Sequence, residues 1–452
     1  MANAPNAQTS VASRVFARVF RPFAKVEPEE TFSVAVLTLT IFLIMMAYYF
    51  LKTAREPLVL LYGGAEVKSY ASAAQATVLL LALPLYNALV KHVSRMRLLT
   101  TVYLFFVSNL ILFTLLPAST IAVAFFVWVG VFNMMAVSQA WGFAADIYKP
   151  EQGKRLFAII GVGGSSGAYA GSRIAKTAAA LGPQKLMLAA SATLVVVVLL
   201  FAWVNRSVEP AEEVQKKEET HAEGGIPEQH AAEGTFALFM RDKYLLLAGA
   251  LSLLVNWVNS NGEYILDRTL LASLGDAPME QKITFVGSFK GDYFSWVNLV
   301  GFLLQLFVVS RVLTKLGPRV ALYFLPGVAF IGYTIMLTAP ILSLIRIAKI
   351  SENSLDYSIE KTSFQALFLV ASRIEKYVGK MTVETFLVRM GDVFSAGLVW
   401  VASMLALSTP AMAGINMALI AIWVVVVFAI GKEHKRRSEE SEEMLALEPI
   451  RT

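Results

Sequence analysis

Lys52, Arg55 and Glu56 stand in FLKTAREPLVL, an apolar run interrupted by two cations and an anion within five residues. Lys and Arg at that density suit the oxygens of a phosphate, because charge-assisted hydrogen bonds are short and strong. A second set lies in LSLLVNWVNSNGEYILDR, where Asn256, Asn259, Glu263 and Asp267 recur every three or four residues and so share one face of a helix. A third lies in SENSLDYSIEKTSFQ: Asp356 and Glu360 are four apart, Lys361 is adjacent, and Glu352 is one turn earlier. Arg389 and Asp392 in FLVRMGDVFSAG are three apart and can pair with each other or meet a ligand. Asp146, Lys154 and Arg155 could latch one helix end to the next, or form a solvated loop. Asp267 and Arg268 read equally as the end of a helix and as part of a site.

These charges sit in a chain of 452 residues that is 56% hydrophobic and 16% charged, a balance foreign to soluble domains. Apolar stretches of the ~20 residues needed to cross a bilayer recur along almost its whole length. The runs are continuous rather than alternating, which excludes a transmembrane barrel. An all-α polytopic membrane protein follows, with spans predicted at 31–51, 69–90, 98–116, 119–145, 155–181, 185–204, 243–266, 293–314, 320–339, 341–372, 382–408 and 409–431. Acids at membrane depth face a bundle interior or a wet cavity, so Glu263 is read as lining one. Asp356 and Glu360 line one where their polar stretch is a span, the other reading being a surface loop and eleven spans.

Basic residues orient the twelve predicted spans. Lys91, Arg95 and Arg97, then Lys149, Lys154 and Arg155, then Arg311, Lys315 and Arg319, then Arg373, Lys376 and Lys380 fall in alternate loops, which are cytoplasmic by the positive-inside rule. Both termini then face the cytoplasm. The basic tail at 1–30 has no signal-peptide core and cleavage site. Residues 205–241, rich in Glu, Lys, Gly and Pro, read as a cytoplasmic linker between six-helix bundles at 31–204 and 242–431, with a cytoplasmic tail at 432–452. That layout is the major facilitator-like one, whose cargo site lies between the halves.

Catalysis is not expected. The chain has no cysteine and four histidines, all in polar loops, so no metal centre, cofactor or nucleophile arrangement stands out. Gly163, Gly167 and Gly171 in GVGGSSGAYAG lack the Lys-Ser/Thr ending of a phosphate loop and read as a helix-packing ridge. Pro57 disfavours helical backbone at Glu56, which predicts a break in the first span there.

Several blocks together resemble the ATP/ADP translocases, the nucleotide transporters of plastids and obligate intracellular bacteria. KTAREPLVL is similar to that family's block after the first span, and NSNGEYILDR to its segment in span seven, with Glu263 at the family's glutamate. PEQGKRLFAIIGVGGSSG, NSLDYS and GKMTVETFLVRMGDVFSAG resemble its blocks at spans five and ten to eleven. The resemblance implies a major facilitator-like fold that exchanges nucleotides or another phosphate-bearing anion; a monomer in a bacterial inner membrane is expected. Lys52 and Arg55 would then neutralise phosphates as the halves rock. Span ten departs from the family: Asp356 replaces a Lys, and Phe364 and Gln365 replace Lys-Glu. This departure favours the alternative of a proton-coupled carrier of another cargo, such as a phospholipid or cell-wall fragment. A non-transporting sensor or scaffold ranks lower, since no signalling module accompanies the spans. Nucleic acid is not an expected partner.

Overall fold

The computed structural model describes residues 26–27, 29–207, 242–371 and 383–447, and all of its regular structure is helical. The linker at 205–241 and the N-terminal tail fall largely outside the described residues, as does the end of the C-terminal tail after Leu447. In chain order the helices are α1 (Thr31–His92), α2 (Arg95–Leu115), α3 (Ala118–Ile147), α4 (Pro150–Thr177) and α5 (Pro183–Ser207). The second half holds α6 (Lys243–Ala272), α7 (Met279–Leu304), α8 (Ser310–Ala321), α9 (Phe324–Thr338), α10 (Leu342–Leu355), α11 (Lys361–Leu367), α12 (Val388–Met404) and α13 (Thr409–Leu447). Among the described residues six helices are long and apolar enough to cross a membrane: Thr31–Leu81, Arg95–Leu115, Ala118–Ile147, Pro183–Ser207, Met279–Ala321 and Thr409–Glu440.

The expected break at Pro57 does not occur. Helix α1 runs through Lys52, Arg55, Glu56 and Pro57, and its backbone leaves helical geometry only at Gly64, with φ 87° and ψ 173°. A residue without a Cβ adopts that positive φ at little cost, whereas proline removes one hydrogen bond and leaves the rest of the helix able to continue. The charges of FLKTAREPLVL are therefore inside a helix, not at its edge.

Local sequence sets the other helix ends. Asp242 caps α6 by accepting the Leu245 N–H at 2.8 Å. Pro150 opens α4 where a missing N–H costs nothing. Among the described residues three π-helical turns fall in the second half: Gln305–Val309 joins α7 to α8, Val383–Leu387 leads into α12, and Asp356–Glu360 joins α10 to α11. The latter carries helical structure through the polar stretch 351–363.

The chain folds into two compact units. One comprises the described parts of Met1–Arg55, Pro84–Pro117 and Trp128–Gly225; the other those of Glu56–Leu83, Ala118–Val127 and Ile226–Thr452. Within the first, the glycine ridge of α4 meets α1 so closely that an added Cβ would lie 2.6 Å from Thr38 O at Gly163, 2.1 Å from Phe42 O at Gly167 and 2.7 Å from Met46 O at Gly171. In lipid, where helices gain little from hiding apolar surface, such close packing is a main source of association. Aromatic rings fill the remainder of that unit, with Trp128 stacked on Phe132 at 5.8 Å and Phe143 edge-on to Phe201 at 4.8 Å. Within the second unit, Val59, Leu60 and Ala71 of α1 pack with Phe126, Leu270 and Val286.

Candidate functional site

Helix α6 supplies the backbone of the site. Its Asp267, which the sequence allows as an exposed span end, is 1% exposed and gripped from two sides: Lys68 Nζ lies 2.6 Å from Oδ2 and Lys290 Nζ 2.5 Å from Oδ1. Glu56 joins the same cluster, with Oε2 at 2.6 Å from Lys68 and 3.6 Å from Lys290. Lys290, on α7, has no exposed surface and also lies 3.5 Å from Glu263 Oε2. Three carboxylates from α1 and α6 thus surround two ammonium groups. Ion pairs this dry hold only when each partner is present, because desolvating a lone charge costs several kcal/mol.

Glu263 extends the network toward α10. Its Oε1 accepts from the Tyr293 hydroxyl at 2.5 Å and from Asn353 Nδ2 at 3.0 Å. One turn away, the Lys349 ammonium donates to Asn259 Oδ1 at 2.6 Å and pairs with Glu352 at 3.0 Å, with Lys349 wholly buried. Gly262 makes room for this: a Cβ there would stand 2.8 Å from Lys349 Nζ and 2.1 Å from the Tyr333 hydroxyl oxygen. Asn256 faces elsewhere, donating to Val388 O at 2.7 Å and to Asp392 Oδ1 at 3.0 Å. Asp392 also accepts from Ser260 at 2.8 Å and lies 3.3 Å from Arg389 Nη1. Arg268 is turned to the backbone, donating to Leu407 O at 2.6 Å.

The remaining sequence candidates divide. Lys52 is half-buried with its ammonium 5.2 Å from the Tyr49 ring centre, and Arg55 is half-buried. Asp356 is half-buried, Glu360 buried and Lys361 exposed. Of the three residues expected at a latch, Asp146 and Arg155 each have a different partner. Asp146 lies 3.3 Å from Arg95, whereas Arg155 reaches Glu30 at 2.7 Å, and the Lys154 side chain lies outside the described residues. Glu30, just before α1, also accepts from Gln152 at 2.9 Å. Burial pushes its carboxyl up, but the Arg155 bonds, the Glu27 N–H and Gln152 outweigh this and hold it below the usual carboxylate range. Tyr148, between α3 and α4, donates to Ser33 Oγ at 3.0 Å; burial chiefly pushes its hydroxyl up to about 12.

Lys68, Lys290 and Lys349 are not among the residues that sequence reasoning singles out. The signal for them is a lone lysine flanked on both sides by apolar and small residues, in EVKSYA, GSFKGDY and RIAKISE.

No protein-family model matches the chain. Over 359 residues, 70% of the chain, it is 24% identical to ADP,ATP carrier protein 1 of Chlamydia pneumoniae, covering 68% of that protein. It is 22% identical over 353 residues to ADP,ATP carrier protein 1 of Chlamydia muridarum, of which it spans 65%, a little under two thirds. Among solved structures it is similar to a POT family transporter in complex with 5-aminolevulinic acid, with TM-score 0.63 and 12% identity over 90% of this chain and 96% of that one. The nucleoside transporter NupG gives TM-score 0.60 at 14% identity, covering 88% and 98%. An inward-facing bacterial homologue of the human lysosomal transporter Spinster gives 0.58 at 12%, covering 91% and 98%. At these identities the likeness is one of fold: an all-helical, major facilitator-like architecture.

Proposed function

We propose that this chain, a divergent relative of the ADP,ATP carrier proteins, moves a nucleotide or another phosphate-bearing organic anion across a membrane by alternating access. The observation that carries this reading is the set of lysines without exposed surface, Lys290 and Lys349, in helices of a membrane transporter fold. Charge at membrane depth is expensive and is kept where it lines a pathway or moves with the cycle. Lys52 and Arg55, one turn and one residue before Glu56 on α1, are the phosphate-neutralising pair. Glu263, Asn259 and Asn256 orient the cargo, Arg389 contacts it, and Asp356, Glu360 and Lys361 line the span-ten side. Counter-exchange or an ion gradient drives the cycle, since the sequence carries no ATP-hydrolysing motif.

The finer layout belongs to the same reading. Twelve spans form six-helix bundles at 31–204 and 242–431, joined by a cytoplasmic linker at 205–241, with cytoplasmic tails at 1–30 and 432–452. The protein is a monomer of the bacterial inner membrane. The second reading, a proton-coupled carrier of a phospholipid or cell-wall fragment, is favoured by Asp356 standing where the similar family has a cation.

Proteoliposomes separate the two. Uptake of labelled ATP into ADP-loaded vesicles, lost in Arg55→Ala, supports the nucleotide reading. Uptake that needs a proton gradient and shows no nucleotide exchange supports the second and ends the first.

A further inference from the structure

Among the described residues seven carboxylates are buried: Glu30, Glu56, Asp267, Glu352, Glu360, Asp392 and Glu433. Six have a basic side chain within 4 Å, namely Arg155, Lys68, Lys290, Lys349, Arg389 and Arg436 in various pairings. Glu360 is the exception. It is 4% exposed, its Oε2 has no hydrogen-bond partner, and no ion pair reaches it among the described residues. Ser363 Oγ, three residues on and wholly buried, is likewise unpartnered. Three residues along a helix is the spacing of neighbours on one face, so two unsatisfied polar groups adjoin.

Among the described residues the surroundings bring no cation into contact with this carboxylate. Glu360 closes the π-helical turn Asp356–Glu360, which packs against the π-helical turn Gln305–Val309. Ile359 lies in an apolar cluster with Val309 and Ala321, flanked by Val312 and Leu355. On its own helix the charged neighbours are Asp356, half-buried, and Lys361, exposed. Helix α8, packed on α11, brings Arg311, Lys315 and Arg319, all exposed. Helix α9 carries Tyr333 as its one titratable group, and that hydroxyl donates to Val258 O. Helix α10 carries Arg346, Lys349 and Glu352, and α7 carries Glu280, Lys282, Lys290 and Asp292; of these, Lys349 pairs with Glu352, Lys290 with Asp267 and Arg346 with Asp292. A π-turn also leaves local backbone freedom that regular helices lack, and such turns concentrate at functional sites.

A buried carboxylate without a counter-charge is too costly to persist as an anion, whereas the neutral acid both lowers that cost and gains a donor. We propose that Glu360 is a proton-binding site, with Ser363 as the neighbouring hydroxyl, and that loading and release of this proton couple the cycle to a proton gradient. Only the coupling role rests on the transport reading; proton binding stands apart from it.

Two measurements on the full chain in proteoliposomes test this. Infrared difference spectra across a pH step, without cargo, should contain the carbonyl stretch of a protonated carboxylic acid that disappears in Glu360→Gln and persists, displaced, in Glu360→Asp. Gln is neutral and nearly isosteric, so Glu360→Gln should melt at the wild-type temperature at neutral pH. A band unchanged by Glu360→Gln, or a melting temperature that falls to that of a misfolded control while Glu360→Asp also lacks the band, overturns the assignment. In the transport arm, an inward proton gradient should accelerate wild-type labelled-ATP uptake, whereas uptake by Glu360→Gln, at whatever lower level, should be the same with and without the gradient. Acceleration by a sodium gradient at equal pH, or equal proton acceleration of Glu360→Gln, overturns the coupling. Loss of the infrared band together with no nucleotide exchange by the wild type upholds the proton site and defeats the nucleotide reading instead.

Discussion

Lys290 Nζ lies 2.5 Å from Asp267 Oδ1, with the lysine 0% and the aspartate 1% exposed. The same aspartate holds Lys68 at 2.6 Å through its other oxygen, so one carboxylate from α6 ties together α1 and α7.

Removing that shared anion should be severe. Asp267→Asn leaves two buried lysines short of a partner, which costs about 3–5 kcal/mol. Asp267→Leu combined with Lys290→Met should recover part of the loss, because a matched apolar pair avoids the desolvation penalty. Unfolding midpoints in detergent check both; a double variant no better than Asp267→Asn contradicts the pairing.

The α1–α4 contact predicts opposite outcomes at two glycines of one helix. Gly167→Ala puts a Cβ 2.1 Å from Phe42 O and should cost about 1–3 kcal/mol through overpacking. Gly161→Ala meets nothing within 4 Å and should be neutral or gain up to about 1 kcal/mol in helix propensity. Thermal melts of the two variants side by side decide it.

Acid should loosen the start of α1. The Glu30 carboxyl is held below its unfolded-state range by Arg155, so its contribution is present above that range and is lost as pH falls through the folded-state value. Wild-type melting temperature should therefore drop on acidification more steeply than that of Glu30→Gln. Parallel curves for the two proteins would remove Arg155 from this role.

Much of this architecture is legible in the sequence because apolar runs of membrane-crossing length admit few alternatives. Glu263 stands out for the same reason, being an acid within one. The lysines do not. Lys68 follows Gly63, Gly64 and Glu66, and Lys290 sits between Gly287 and Asp292, so both stretches read as loops; in the fold α1 continues past Gly64 and α7 begins at Met279. The helices that fall short of the apolar standard for a span have a physical reason to do so. Helices α6 and α10 carry Glu263, Asp267, Lys349 and Glu352, and the same buried charges that make them chemically interesting lower their apolar content. Proline at 57 misleads because local backbone bias leaves out the packing of Val59 and Leu60 against Leu270, which holds the helix through it.

Movement of a phosphate-bearing anion across the membrane can be read from labelled-ATP uptake into ADP-loaded proteoliposomes of the purified chain. Uptake should exceed that of ADP-free vesicles and fall roughly 10- to 100-fold in Arg55→Ala, the loss expected for one charge-assisted bond of ~1.5–3 kcal/mol. Uptake equal in loaded and empty vesicles, or unchanged by Arg55→Ala, would rule out nucleotide exchange through the α1 cations.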